Sequence, residues 1–535
     1  MASARAPRRL DLACAALCMG VLGLTVLYPT LRMVLEALRE GSLAALLSSR
    51  GREATFNTLL ISALSVLLSG LLGVPLAFLI QRFRFPGRTL LAGFAYLPLA
   101  LPPLVGTLAF YYIFGRDGFL VRGVARLLGA EELAVPGPLA ILLVHAYSFH
   151  VYFYAMTLAA LERADPTLVE AARSLGAGPW RAFTRITLPL LRPALTGAAL
   201  LVFMSSAASF SAPYFFGEGY PMLSVEIFNA HSNYQQGDAL SLTLLLALVS
   251  LLGVLVFRSS NAASSGGSKG TPRVLKGSAR IGAGAAAWLG IALLLLPHAA
   301  IFTFAFADHR AWQDEILPTK YTLEHFAALI QEPGTFAPIR NSLWASALAT
   351  VGAIAIGLPA AYLIARRRPS ARAVELLIML PWALPATVIA INLIMAFNNA
   401  AFPLYNTIWL LPLAYFVRTV PMCARMLTAA IAPFDATLIE AARSLGARPA
   451  YVFMRVVLPL LAPSVLAAAA LAFATSLGEF AASVLIYVPE NVPISVRISM
   501  EWRSAAGPAF AYSVLLTLLV AAAFVASRRM TNRVL

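Results

Sequence analysis

Apolar runs of about 20 residues, the length a helix needs to cross a hydrocarbon core, recur along the whole chain. They fall near 11–36, 55–80, 89–114, 138–161, 193–216 and 239–257, and again near 281–306, 341–364, 373–397, 407–431, 463–487 and 509–527. Between the two sets lies RSSNAASSGGSKGTPRVLKGSAR (258–280), with the Ser-, Gly- and Lys-rich composition of a flexible linker. The pattern predicts an all-α polytopic membrane protein of about 12 transmembrane helices: a first half at 1–257, a cytoplasmic linker at 258–280 and a second half at 281–535. The first run follows a basic flank, as a cleaved signal would. Its length, and the similar run that ends at Pro297, favour a retained helix.

The halves are repeats of each other. Asn57, Ser62, Gly73, Pro75 and Arg82 have identical counterparts at Asn341, Ser346, Gly357, Pro359 and Arg366. YLPLALPPLVG from Tyr96 parallels MLPWALPATVI from Met379. Six helices per half give both halves the same orientation, a parallel repeat of two homologous six-helix bundles.

Composition agrees with a membrane protein: 60% hydrophobic, 12% charged, mean hydropathy +0.79. The net charge of +16 does not point to nucleic acid, because Lys and Arg cluster at the ends of apolar runs. The N-terminus, 81–88, 366–372, the linker and 527–533 carry them on one side, which the positive-inside rule makes the cytoplasm, with both chain termini there. Most of the remaining acids fall in loops on the opposite side. Three cysteines, Cys14, Cys18 and Cys423, form neither a disulfide framework nor a zinc spacing.

One polar stretch breaks the aliphatic monotony, and it occurs twice. EAARSLGAGPWRAFTRITLPLLRP begins at Glu170 and EAARSLGARPAYVFMRVVLPLLAP at Glu440, identical at 16 of 24 positions. Each copy lies between the fourth and fifth helix of its half, on the cytoplasmic side. Asp165 and Asp435 are suited to cap a helix, with Pro166 at the first helical position of copy one. Leu168, Ala172 and Leu175 line one face, as do Leu438, Ala442 and Leu445. Gly176 and Gly446 stand where a helix end wants a left-handed residue, and the Leu-Pro pairs mark the turn into the next span. An interfacial amphipathic helix needs only one apolar and one charged face. It gives no reason for Glu, Ala-Ala, Gly and Leu-Pro to recur at fixed offsets, whereas a partner's groove does.

The stretch resembles the EAA loop of ABC-importer permeases. The matching residues are Glu170, Ala171, Ala172, Gly176, Ile186, Leu188 and Pro189, and then Glu440, Ala441, Ala442, Gly446, Val456, Leu458 and Pro459. The resemblance implies a type I importer permease fold, with each EAA helix docked on one of two copies of a cytoplasmic ABC ATPase subunit. An extracytoplasmic substrate-binding protein would deliver the cargo. ATP and Mg would sit on the ATPase, with no cofactor or metal on this chain, whose own surroundings are membrane lipid. The fused layout and YYIFGRDGFLVRG (111–123) look most like ferric-iron permeases, with thiamine, polyamine, phosphonate and sulfate permeases as alternatives. No G-x-x-x-x-G-K-[ST] loop occurs and the cytoplasmic loops hold no nucleophile–base constellation, so the chain is expected not to be an enzyme. A twelve-helix secondary transporter is the competing class; it leaves the two EAA copies without a cause.

Charges inside a span are costly and mark a pathway or a pair. Arg418 and Glu479 align with Ser148 and Ser209 in the register of the EAA copies, so both charges occur in one half and neither in the other. This suggests a pair between the fourth and fifth helices, with separate contact to a wet cavity as the alternative. His145 and His150 are about 140° apart around a helix, which favours a polar or lumen-lining role over a metal site. Tyr214 opens an outer segment, 211–238, that also holds Glu218, Tyr220, Glu226, His231, Tyr234 and Asp238. Its oxygen donors suit a hard cation, but no ligand spacing is defined and an ordinary outer loop is the preferred reading.

Overall fold

The computed structural model describes residues 9–116, 118–130, 133–256, 273–308, 317–433, 437, 441–442 and 444–531. The architecture is all-α. Among the described residues, eleven helices are long and apolar enough to span a membrane, and a helix pair bent by 113°, Ala371–Ala383 with Ala386–Phe397, makes up to twelve. Among the described residues, the strands are two-residue pieces: Phe83–Arg84 pairs in parallel with Arg273–Val274, and Asn398–Asn399 pairs antiparallel with Phe402–Pro403.

Four expected spans differ from straight apolar rods. The third of each half is broken. Arg88–Phe94 gives way to a 3-10 turn at Leu97–Ala100 before Pro103–Phe114, and Leu380–Ala383 plays the same part in the second half. Prolines at 98, 102, 103, 381 and 385 remove ladder donors and disfavour α geometry in the residue before them. The fifth spans stop early, at Ala207 and Leu477 rather than near 216 and 487. There the Ser209 carbonyl accepts from Ser224 Oγ at 2.6 Å, and the Glu479 carbonyl accepts from Ser483 and Ser495 Oγ at 2.8 Å each. Serine hydroxyls take both carbonyls, and in the first half residue 213, four beyond Ser209, is a proline with no N–H to continue the helix.

The outer segment at 211–238 is not an ordinary loop. It folds into helices Ser211–Phe216 and Leu223–Ser232, with Phe215, Phe216, Met222, Leu223 and Ile227 buried. Its counterpart in the second half is Ser483–Ile486 and Ile494–Glu501. Both copies are clamped alike. Asn57 Nδ2 donates to the Pro221 carbonyl at 3.0 Å, and Asn341 Nδ2 to the Glu490 and Val492 carbonyls at 3.2 Å. Thr58 Oγ1 accepts from Leu223 N, and Ser342 Oγ from Ile494 N. The repeated Asn has a structural cause.

Packing divides the chain differently from the repeat. One compact unit comprises Met1–Ser42, Tyr234–Leu244 and Thr322–Leu535; the other comprises Leu43–Asn233 and Leu245–Tyr321. The first helix of each sequence half thus packs with the helices of the other half. In the first unit, Tyr28–Glu40 lies along Ala386–Phe397, and Arg9–Leu22 lies along Pro333–Ala365. Asn392 Nδ2 donates to Thr30 Oγ1 at 3.3 Å, and buried Asp11 accepts from Tyr362 Oη at 3.0 Å. In the second unit, Ala287, Ile291 and Leu294 of Gly277–Ala305 join Ala77, Ile80, Leu91 and Tyr154 in one apolar cluster. The end of the linker is pinned there too, through the strand Arg273–Val274.

Candidate functional site

The first EAA copy builds a short capped helix, Pro166–Ser174. Asp165 Oδ1 accepts from Thr167 N at 2.9 Å and from its hydroxyl at 2.8 Å. The Thr167 amide, and after it the hydroxyl, holds the Asp165 carboxyl below its usual range. At the other end Ala177 N bonds the Ala172 carbonyl and Gly176 N the Arg173 carbonyl, both at 2.9 Å, with Gly176 at φ +82°. These two bonds make a Schellman motif. The second copy repeats the outer bond and the left-handed glycine: Ala447 N bonds the Ala442 carbonyl at 3.1 Å and Gly446 has φ +79°. A Cβ at Gly176 or Gly446 would meet nothing within 4 Å, so each glycine is there for its backbone angle and not for space.

The Leu-Pro pairs do not turn the chain into the next span. Pro179–Ala207 is one continuous helical run, with a π turn at Phe183–Thr187 before Leu188–Ala207. Phe453–Val457 is the same turn in the second copy, and Gly23–Leu27 another in the first helix of the chain. In all three places a proline, Pro189, Pro459 or Pro29, stands two residues after the turn. Proline cannot donate to the carbonyl four residues back, and the wider i→i+5 turn absorbs the mismatch without ending the helix.

Both copies are presented outward. Glu170, Ala171, Gly176, Pro189, Ala441, Gly446 and Pro459 are exposed, and Ala172, Leu188, Ala442 and Leu458 half-buried. Leu175 and Leu445, at matching positions, are each 89% exposed. Beside Leu445 a shallow hollow is lined by Ala442, Gly446, Arg448 and Tyr451. Glu440, Asp435 and Leu438 lie outside the described residues.

A second constellation joins the fourth helix of each half to the end of the fifth. Arg418 Nε lies 2.5 Å from Glu479 Oε2, and Glu479 Oε1 accepts from Ala482 N at 3.1 Å. The first half does the same with neutral groups. His145 Nδ1 contacts Ser65 Oγ at 2.9 Å and Ser206 Oγ at 3.1 Å, and its Nε2 contacts Ser209 Oγ at 2.9 Å. Ser148 is half-buried. His150 turns elsewhere, its Nδ1 2.7 Å from the Tyr147 carbonyl. Tyr214 is half-buried, stacked on Phe210 at 5.4 Å and edge-on to Phe228 at 5.9 Å. Among the described residues no group of three or more His, Cys, Asp or Glu could hold a metal ion.

Three polar contacts went unread in the sequence. Glu226 accepts from Arg50 Nε and Nη2 at 2.6 and 3.0 Å. Arg425 Nη1 lies 3.4 Å from Glu375, and Arg368 Nε 3.5 Å from Asp11. The available signal was a carboxylate inside an apolar stretch, plainest for Asp11, which sits in the first span.

The family model for the binding-protein-dependent transport system inner membrane component matches residues 69–265 and 353–535, once in each half. The chain belongs to this family. It is similar to the probable ABC transporter permease protein y4fN of Sinorhizobium fredii, at 30% identity over 84% of this chain and 82% of that one. It is similar also to the putative ferric transport system permease protein FbpB 1 of Haemophilus influenzae, at 26% identity over 87% of this chain and 76% of that one. The molybdenum transport system permease protein ModB of Escherichia coli is 37% identical over 32% of this chain and 73% of its own length.

The permease is therefore the pore-forming, multi-pass inner-membrane component of an ABC importer, with ATP hydrolysed on a separate subunit and cargo brought by a binding protein. Membership sets aside the secondary-transporter reading.

Proposed function

We propose that this permease imports ferric iron and that two ATPase copies dock on its two EAA helices from the cytoplasm, where both chain termini lie. One observation carries the docking: two outward-facing helices end in the same left-handed glycine and each presents a leucine at 89% exposure. Lone leucines in water are common, but a matched pair with matched backbones fits two identical grooves. Glu170 and Glu440, Ala171–Ala172 and Ala441–Ala442, Gly176 and Gly446, and the Leu188–Pro189 and Leu458–Pro459 pairs make the contact. ATP and Mg bind the docked subunits, and this chain holds no cofactor. Nucleotide-driven closure moves the two handles, the halves rock, and cargo crosses beside Arg418, Glu479, Ser148 and Ser209, with His145 and Tyr214 bracing the same helices.

Iron is favoured because the ferric relative aligns along 87% of this chain. A second reading, a tetrahedral oxyanion, draws on the molybdenum permease, which is more similar but over 32% of the chain. Uptake of ⁵⁵Fe(III) and of labelled molybdate by cells with and without this permease separates them. Iron uptake should fall when the gene is deleted; a fall confined to molybdate overturns the iron reading. Charge reversal, Glu170→Lys with Glu440→Lys, should uncouple ATPase activity from uptake, and unchanged uptake in that variant overturns the docking.

A further inference from the structure

Helix Leu410–Ile431 is enclosed on every side but one. From Leu410 to Leu427 its residues are buried, apart from half-buried Leu413, Met422 and Met426 and exposed Arg418 and Arg425. Exposed Ala429 follows. Arg418, Met422, Arg425 and Ala429 stand four, three and four residues apart, so they form one stripe along one face. Arg418 is about 12 Å into the helix from its start and Arg425 about 10 Å further.

That stripe does not have the composition of a lipid-facing surface. Helix Ser49–Arg82 shows what such a surface looks like here, with Leu60, Leu67, Leu71 and Leu72 outward. Two arginines two turns apart on the open face of an otherwise buried span need water. The equivalent positions of the first half, Ser148, Tyr152, Ala155 and Ala159, are neutral.

Each arginine has a carboxylate, but the more deeply placed pair is oriented. Glu479 is 5% exposed and is held from behind by the Ala482 amide, whereas Arg418 is 37% exposed. The pair turns its positive end to the open side. Arg425 adds a second guanidinium, 50% exposed, beside a partly exposed Glu375. A planar guanidinium matches paired oxygen acceptors.

We propose that the stripe Arg418–Met422–Arg425–Ala429 lines the translocation path and contacts the cargo as an oxygen-rich anion. Two sources share that chemistry: a free tetrahedral oxyanion, and ferric ion carried within anionic oxygen ligands. The assignment rests on the importer reading and narrows it, since it excludes passage as a bare cation.

The test uses the full chain in membranes with Cys14, Cys18 and Cys423 replaced by Ala and Met422→Cys introduced between the two arginines. Rates of modification are measured with an anionic sulfonatoethyl and a cationic trimethylammonioethyl methanethiosulfonate. Both should react, and the anionic-to-cationic rate ratio should fall about five-fold on adding Arg418→Gln. Ala429→Cys on the same stripe serves should Met422→Cys fail to fold. Thiols unreactive to both reagents, or a ratio indifferent to Arg418→Gln, overturn the proposal.

Protection by probes distinguishes the sources. Slowing by molybdate assigns the free oxyanion; slowing by ferric citrate and not by citrate alone assigns ligand-wrapped iron; slowing by neither overturns the anionic cargo. These rates need no ATPase or binding protein. A failed iron-uptake result would thus remove the iron reading while leaving the reagent ratio as it was.

Discussion

Asp11 and Arg368 stand 357 positions apart in the sequence, yet their side chains meet at 3.5 Å, with Tyr362 Oη donating to the same carboxylate at 3.0 Å. Asp11 is buried, so it is the anchor of the exchanged first helix at that end. Asp11→Ala leaves the Tyr362 hydroxyl without its acceptor and takes the ion-pair partner from the Arg368 guanidinium, whose Nη2 still donates to Tyr362 Oη. The expected loss is about 1–3 kcal/mol of stability, read as a lower melting temperature of the detergent-solubilised chain. Asp11→Asn, which keeps an acceptor oxygen, should lose less.

The Arg418–Glu479 pair should behave as a unit. Removing Arg418 strands the buried Glu479 carboxylate and costs roughly 3–5 kcal/mol, whereas removing Glu479 leaves a water-facing Arg418 and costs less. The double change Arg418→Ser with Glu479→Ser reproduces the neutral pair of the first half, Ser148 and Ser209, and should recover most of that loss in a thermal melt. Equal destabilisation by the double and the single variants would show that the two charges act separately.

At Gly176 and Gly446 the cost of a side chain is backbone strain alone, since a Cβ meets no neighbour. Ala at either site should cost about 1–2 kcal/mol locally and weaken co-purification of the ATPase. Asn, which tolerates the left-handed region, should weaken it less. A measured order of Gly, then Asn, then Ala supports the backbone explanation; equal losses for Asn and Ala point to steric contact with the partner.

The Asp165 cap carries a pH dependence of defined sign. Its carboxyl titrates below the ordinary range because the ionised form accepts the Thr167 amide and hydroxyl. The stabilisation is therefore present above the ordinary Asp value, about 3.9, and is lost as pH falls through the lower folded value. Amide exchange in 166–174 should be unchanged between pH 7 and 5 after correction for intrinsic rates. Asp165→Ala should speed it at pH 7.

The helical runs, the repeat and the twin polar stretch were legible because length, offset and spacing are properties of sequence. Even the Arg418–Glu479 pair could be read, since two expensive charges appearing together in one half and absent from the other call for each other. The breaks at Pro385 and near Pro98 were not legible: a proline within an apolar run looks the same whether a π turn absorbs it, as at Pro189, or the span bends, as after Leu384. Nor was the early end of the fifth helices, where serines far along the chain, Ser224 and Ser495, take the Ser209 and Glu479 carbonyls. The partner of each first helix escaped for a different reason. Aliphatic surfaces are interchangeable, and the one specific mark, Asp11, finds its partners 351 and 357 positions away, the donor Tyr362 and the ion-pair partner Arg368.

That exchange bears on how the molecule is made. Helix Arg9–Leu22 has its final neighbours more than 300 residues later, in Pro333–Ala365, so it must wait in the bilayer until they have been translated. The unit holding Leu43–Asn233 is likewise incomplete until Gly277–Ala305 arrives to close it. A messenger truncated between the halves would leave Arg9–Leu22 without its neighbours and the place of Gly277–Ala305 vacant.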